Sequence, residues 1–132
     1  MGVRYLLDTH VFIWLVLGSR SVPPSLAEQL SDPDNELGVS AISAFEVATK
    51  VRLGKLDGAR PLGDLWQSSV ERLGARSLDL TSDHAVAAGA LPWGHRDPFD
   101  RLLAAQAVVE GMTLVTADLV FGAAPGVDVL RW

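Results

Sequence analysis

Short runs of strand-forming residues alternate with segments of helical spacing along the whole chain, and this alternation restricts the fold more than any other feature. Residues 3–7 (VRYLL) have strand composition. Residues 9–17 follow with helically spaced apolar side chains and Gly18 where a C-cap belongs. Pro23 and Pro24 introduce a short helical segment, SLAEQLSD, which the Asp32-Pro33-Asp34-Asn35 turn ends ahead of a strand at 37–40. A helix over 41–53 sets Ala44, Val47, Ala48 and Val51 at i, i+3, i+4, i+7 spacing, and Gly54 stands where it should stop. After a loop rich in Gly and Asp come a helix near 62–73, a strand at 75–80 and a helix begun by Thr81 or Ser82 and running to about 90. A loop at 91–98 leads to a helix over 98–110, capped by Gly111. A buried strand at 112–116 (MTLVT) and a last strand at 127–131 close the chain. Strands and helices in this order predict an α/β fold of three layers, α/β/α, with a mainly parallel sheet of four to five strands. In such sheets ligands bind beyond the carboxyl ends of the strands.

The 132 residues suit a single domain spanning 1–132, large enough to bury a core of its own. With no cysteine, thiolate zinc sites, iron–sulfur clusters and cysteine nucleophiles are excluded, so a metal would be held by oxygen or imidazole. The apolar stretch at 11–17 is interrupted on its N-terminal side by Asp8 and His10, lacks a small-residue cleavage site, and falls short of the roughly 20 residues of a spanning helix. The expectation is a cytoplasmic protein with no membrane partner. A net charge of −5 disfavours a general affinity for phosphate backbones, so a nucleic acid would have to be gripped locally.

Two carboxylates stand at predicted strand ends: Asp8 directly after VRYLL, and Asp118 two positions past MTLVT. Asp8 is the only charged residue between Arg4 and Arg20, Glu46 the only one between Glu36 and Lys50, and Asp118 the only one between Glu110 and Asp128. A carboxylate in apolar sequence with no neighbouring cation normally neutralises or acquires a partner, and a divalent ion would serve. Oxygen ligands without thiols suit Mg2+ or Mn2+. Simpler roles compete with this reading. Asp8 fits an N-cap for the helix at 9–17, Glu46 a solvated helix edge, and Asp118 a turn. In His95-Arg96-Asp97-Pro98-Phe99-Asp100-Arg101 the spacing leaves Asp97 and Asp100 undecided, since Asp97 is equally an N-cap before Pro98 at N1.

Lys50, Arg52, Lys55 and Arg60 form the one concentrated basic run, suited to RNA phosphates or, equally, to a helix C-terminus. Arg96 and Arg101 bracket the acidic loop and fit either phosphate contact or pairing with Asp97. His10 and His95 read as substrate contacts outside the catalytic set. Phe12, Trp14 and Leu17 suit a core or a partner-binding groove, the core being the simpler reading.

Four segments in one order, LLDTHVFIW at 6–14, the helix at 40–50 with its Glu, HRDPFDRLLAAQA at 95–107 and LVTADLVF at 114–121, resemble PIN domains of the VapC toxin type. The resemblance covers nearly the whole chain. It implies a PIN-like fold and a catalytic, metal-binding set of Asp8, Glu46, Asp100 and Asp118, choosing Asp100 over Asp97 by the family pattern. Thr116 matches the family's hydroxyl near the last carboxylate, and Thr9 and Thr116 are candidates to orient metal-bound water, with Asp97 and Arg101 beside them. The resemblance further implies a Mg2+- or Mn2+-dependent endoribonuclease, a cognate antitoxin, an RNA substrate and a homodimer. In such a pocket one or two ions, about 3.5–4 Å apart if two, would activate water for phosphodiester hydrolysis, with Asp8 the bridging candidate. Two other readings compete: a non-catalytic RNA-binding relative, against which the four intact carboxylates argue, and a phosphoryl-transfer domain of receiver or haloacid-dehalogenase type. The second lacks an Asp two residues after Asp8 and any lysine after Lys55.

Overall fold

A computed structural model describes residues 2–55 and 66–132. Five strands form one sheet, β1 (Arg4–Leu7), β2 (Glu36–Ser40), β3 (Ala75–Leu78), β4 (Thr113–Val115) and β5 (Val129–Leu130), in the order β3-β2-β1-β4-β5. Every pairing is parallel. The helices are α1 (Thr9–Leu17), α2 (Pro24–Ser31), α3 (Ala41–Arg52), α4 (Trp66–Arg72), α5 (Ser82–Ala90) and α6 (Pro98–Glu110), with a 3-10 helix at Leu119–Ala123.

The pleat decides which residues face which layer. Side chains alternate across a strand, so Tyr5 and Leu7 of β1 join Phe12, Leu30, Val39, Val47 and Val70 on one side, while Leu6 joins Leu103, Ala104, Leu114 and Phe121 on the other. Two cores thus sandwich one sheet, the three-layer arrangement expected from the alternation. β1, central and lined by neighbours on both edges, ends at Asp8. The Asp8 N–H still donates to Val115 O at 2.9 Å, so the backbone leaves the sheet in a fixed direction.

Helix boundaries follow the capping chemistry. Asp8 caps α1, accepting from Thr9 N, and Ser40 caps α3, accepting from Ile42 N. Gly18 and Gly111 end α1 and α6 in the left-handed conformation, at φ 65° each, where a side chain would be strained. The helix expected near 62–73 is described from Trp66 onward; its first residues, and Arg60, lie outside the described residues. Strand limits are corrected at three places: β3 stops at Leu78, β4 spans Thr113–Val115 and β5 is the two-residue edge Val129–Leu130. The 3-10 helix was not expected; Asp118 caps it through a bond from Val120 N at 3.0 Å. Phe12 lies in the core against Trp66, ring centroids 4.8 Å apart, Trp14 is half-buried and Leu17 is exposed. Among the described residues no helix is long and apolar enough to cross a membrane.

Candidate active site

The carboxyl ends of three adjacent strands deliver Asp8 after β1, Ser40 as the last residue of β2 and Thr116 after β4. Helices then bring the remaining groups. Glu46 sits on the second turn of α3 and Asp100 on the first turn of α6.

Buried hydroxyls fix two of the carboxylates. Thr116 Oγ1 donates to Asp8 Oδ2 at 2.7 Å, while Asp8 Oδ1 takes the Thr9 N–H at 2.7 Å. Thr9 Oγ1 donates to Glu46 Oε1 at 2.7 Å and is bonded to Ser43 Oγ at 2.8 Å. Thr9, Ser43 and Thr116 are each buried to about 1% exposure or less, so these bonds form in a low-dielectric setting where their geometry is held firmly. Asp118 joins only at one remove: its N–H donates to Thr116 Oγ1 at 3.0 Å, and its own side chain is exposed and engaged in capping.

Asp97 and Asp100 separate into different roles. Asp97 Oδ1 accepts from both Phe99 N and Asp100 N, capping α6. Asp100 is half-buried and takes a 2.7 Å bond from His95 Nε2. His95, left outside the catalytic set by the sequence, therefore stands directly on a site carboxylate. Arg101 needs a correction too. Its guanidinium donates to the carbonyls of Ala88, Leu91, Trp93 and His95 at 2.6–3.0 Å, so it pins the loop that carries His95 and does not reach out as a phosphate contact. Of the basic run, Lys50 approaches His10 Nε2 at 3.4 Å, and Arg52 and Lys55 are exposed.

The electrostatics mark Asp8, Glu46 and Asp100 as one group. Burial lifts the Glu46 carboxyl above its ordinary value. The Thr9 hydrogen bond and Lys50 oppose the rise, and repulsion from Asp8 and Asp100 adds to it. Asp100 is likewise raised chiefly by burial; the His95 bond opposes this, while Asp97 and Asp8 add to it. A carboxyl whose pKa is raised by folding favours the fold when protonated; that contribution is complete below the unfolded value and is lost as pH rises through the folded one. Without divalent ions, Glu46→Gln should therefore melt a few degrees above the wild type at neutral pH. The gap should close as pH falls towards 4.5. Thermal melts of both proteins check this, and a lower melting point for the variant at neutral pH would contradict it.

Mutual repulsion among hard oxygen donors is relieved by a divalent cation. Among the described residues no three His, Asp or Glu side chains stand close enough to enclose one ion. Mg2+ does not require such a cage: it keeps several waters and binds through one or two carboxylates, so the donor set fits. A hollow of about 420 Å3 beside Trp14, Leu15, Val22 and Ala27 contains none of these carboxylates.

Comparisons with known proteins bear on the family and the fold. A PIN domain family model matches residues 5–127. The chain is 34% identical over 114 residues to the ribonuclease VapC22 of Mycobacterium tuberculosis (strain ATCC 25618 / H37Rv), covering 86% of this chain and 85% of that protein. Its fold is similar to that in VapBC2 from Rickettsia felis bound to a promoter DNA fragment, with a TM-score of 0.74 and 20% identity over 98% of this chain and 99% of the other. It is equally similar to DNA-bound VapBC from Salmonella typhimurium, with a TM-score of 0.74 and 18% identity over 98% of each chain.

Proposed function

The chain belongs to the PIN-domain family, in its VapC group of ribonucleases, and from that premise we propose that it hydrolyses RNA phosphodiester bonds with Mg2+ or Mn2+ as the toxin of a toxin–antitoxin pair. The observation that carries the reading is the hydrogen-bonded set at the strand ends, in which buried Thr9 bonds both Asp8 and Glu46 and buried Thr116 holds the other oxygen of Asp8. When bound, a divalent ion supplies the positive charge that lowers the pKa of water and offsets charge on the phosphate oxygens.

The chain's own residues prepare for this. Asp8 and Asp100 would hold the ion. Thr116 and the Thr9 N–H aim the two oxygens of Asp8, so that its carboxylate does not have to be ordered when the substrate binds. Glu46, steadied by Thr9, is the ligand or water-orienting group across the pocket. Asp118 extends the set through Thr116 and is the most exposed of the four. His95 orients Asp100. The antitoxin, a homodimer and a cytoplasmic setting belong to this reading through the VapC relationship, since the relatives of like fold are complexes named VapBC.

Induced expression in a bacterial host tests the proposal. It predicts growth arrest with the appearance of discrete RNA fragments in the wild type and neither in Asp8→Asn. Unimpaired growth with intact RNA on wild-type expression would contradict it.

A further inference from the structure

The chain has four phenylalanines and two lysines. Phe12 and Phe121 are buried in the two cores, but Phe45 and Phe99 are 57% and 36% exposed. Those two face one another, ring centroids 5.5 Å apart with planes at 54°. Each immediately precedes a site carboxylate, Phe45 before Glu46 on α3 and Phe99 before Asp100 on α6. With Leu53 they line a hollow of about 210 Å3, and its remaining wall includes Glu46 and both of the chain's lysines, Lys50 and Lys55.

A Phe left in water forgoes the gain of burial, so two exposed and adjacent ones call for a ligand. The charge of the wall indicates which. In a chain of net charge −5, the only lysines converge here, where a polyanion's backbone must approach the carboxylates to be cut. The hollow is smaller than the roughly 300–1,000 Å3 of sites that enclose larger ligands. It suits one flat ring with an anion on either side.

We propose that Phe45 and Phe99 form a stacking platform for an unpaired base of the RNA strand, while Lys50 and Lys55 take the flanking phosphates beside Glu46 and Asp100. The assignment rests on the RNA-hydrolysing reading above. Aromatic faces bind any base, so the platform selects unpaired strands and sets where the strand crosses the carboxylates, without itself reading sequence.

Fluorescence anisotropy with labelled single-stranded RNA in EDTA, where cleavage is suppressed, tests it. Phe45→Ala and Phe99→Ala should each weaken binding by about tenfold or more. Phe45→Leu should lose as much, because it keeps apolar bulk but no ring, and Phe45→Tyr should bind like the wild type. A duplex of the same sequence, whose bases offer no free face, should bind all of these proteins alike. Wild-type affinity for single strands in the alanine variants of a cleaving enzyme would overturn the platform alone. The same result together with loss of a bound antitoxin would assign the face to protein docking and overturn it too. A wild type that neither binds nor cuts RNA would overturn both readings.

Discussion

Asp8→Asn and Asp100→Asn should each lower RNA cleavage by about a thousandfold, equivalent to about 4 kcal/mol of transition-state stabilisation at 1.36 kcal/mol per factor of ten. Neutralising either carboxylate removes a charge that a divalent cation needs, while the amide preserves shape and packing. For Asp8 the amide oxygen can still accept from the Thr9 N–H while its Nδ2 donates to the Thr116 hydroxyl, which turns to accept, so the fold should be little disturbed and the loss confined to chemistry. The informative control is Asp97→Asn. Asn caps helices about as well as Asp, and the Asp97 carboxylate is occupied with the Phe99 and Asp100 amides, so this variant should keep most of its activity. Single-turnover rates on one RNA, measured beside melting curves, check all three. Loss in Asp97→Asn with retention in Asp100→Asn would reverse the assignment of the two residues.

Arg101→Met should produce the largest loss of stability among the site's neighbours. The methionine keeps an apolar stem but removes a guanidinium bonded to the backbone carbonyls of Ala88, Leu91, Trp93 and His95, with a longer bond to Gly89. Hydrogen bonds from a charged donor are worth roughly 1.5–3 kcal/mol each, and carbonyls at the loop can partly recover water, so a net cost of about 3 kcal/mol is expected. For a domain of this size that corresponds to a drop of roughly 10 °C in melting temperature. Cleavage should fall as well, because the freed loop no longer presents His95 to Asp100. Thermal melts and rates on the same preparation separate the two effects. An unchanged melting temperature would show that the arginine does not hold the loop.

These residues also show what the amino-acid sequence made legible and what it did not. The limits of α1 and α6 could be read because capping is local: Asp8, Gly18, Asp97, Pro98 and Gly111 act on backbone within a turn of themselves. Asp8 and Glu46 could be read as unusual because an isolated charge in apolar sequence needs a partner, and the fold places them one threonine apart. The tie between Asp97 and Asp100 was not legible. Both lie at the start of one helix, and only the direction of their side chains separates a cap from a pocket group. The partners of His95 and Arg101 were not legible for a related reason. They are a side chain five residues away and a set of carbonyls in the last turn of α5 and the loop after it, and neither leaves a periodic pattern. Phe45 is not among the helically spaced Ala44, Val47, Ala48 and Val51, and its exposure depends on how α3 is turned against the sheet, a tertiary fact. The 3-10 helix at Leu119–Ala123 is too short for hydrophobic spacing to reveal, and it gives Asp118 a capping role beside its link to Thr116.

The site therefore ranks its own members. Asp8 sits where the central strand ends and is tied to Thr9 and Thr116; Glu46 feels both Asp8 and Asp100, and Asp100 feels Asp8; Asp118 is linked to the set through Thr116. Asp118→Asn should accordingly cost less than Asp8→Asn in the same assay.

The central claim is that this group of carboxylates cuts RNA only with a divalent cation. Its most direct test follows a single labelled RNA over time with purified protein in Mg2+, in EDTA, and in EDTA overcome by excess Mg2+. Cleavage should be present, absent and restored in turn, and absent throughout for Asp8→Asn. Cleavage that persists in EDTA, or that Asp8→Asn carries out at the wild-type rate, would contradict it.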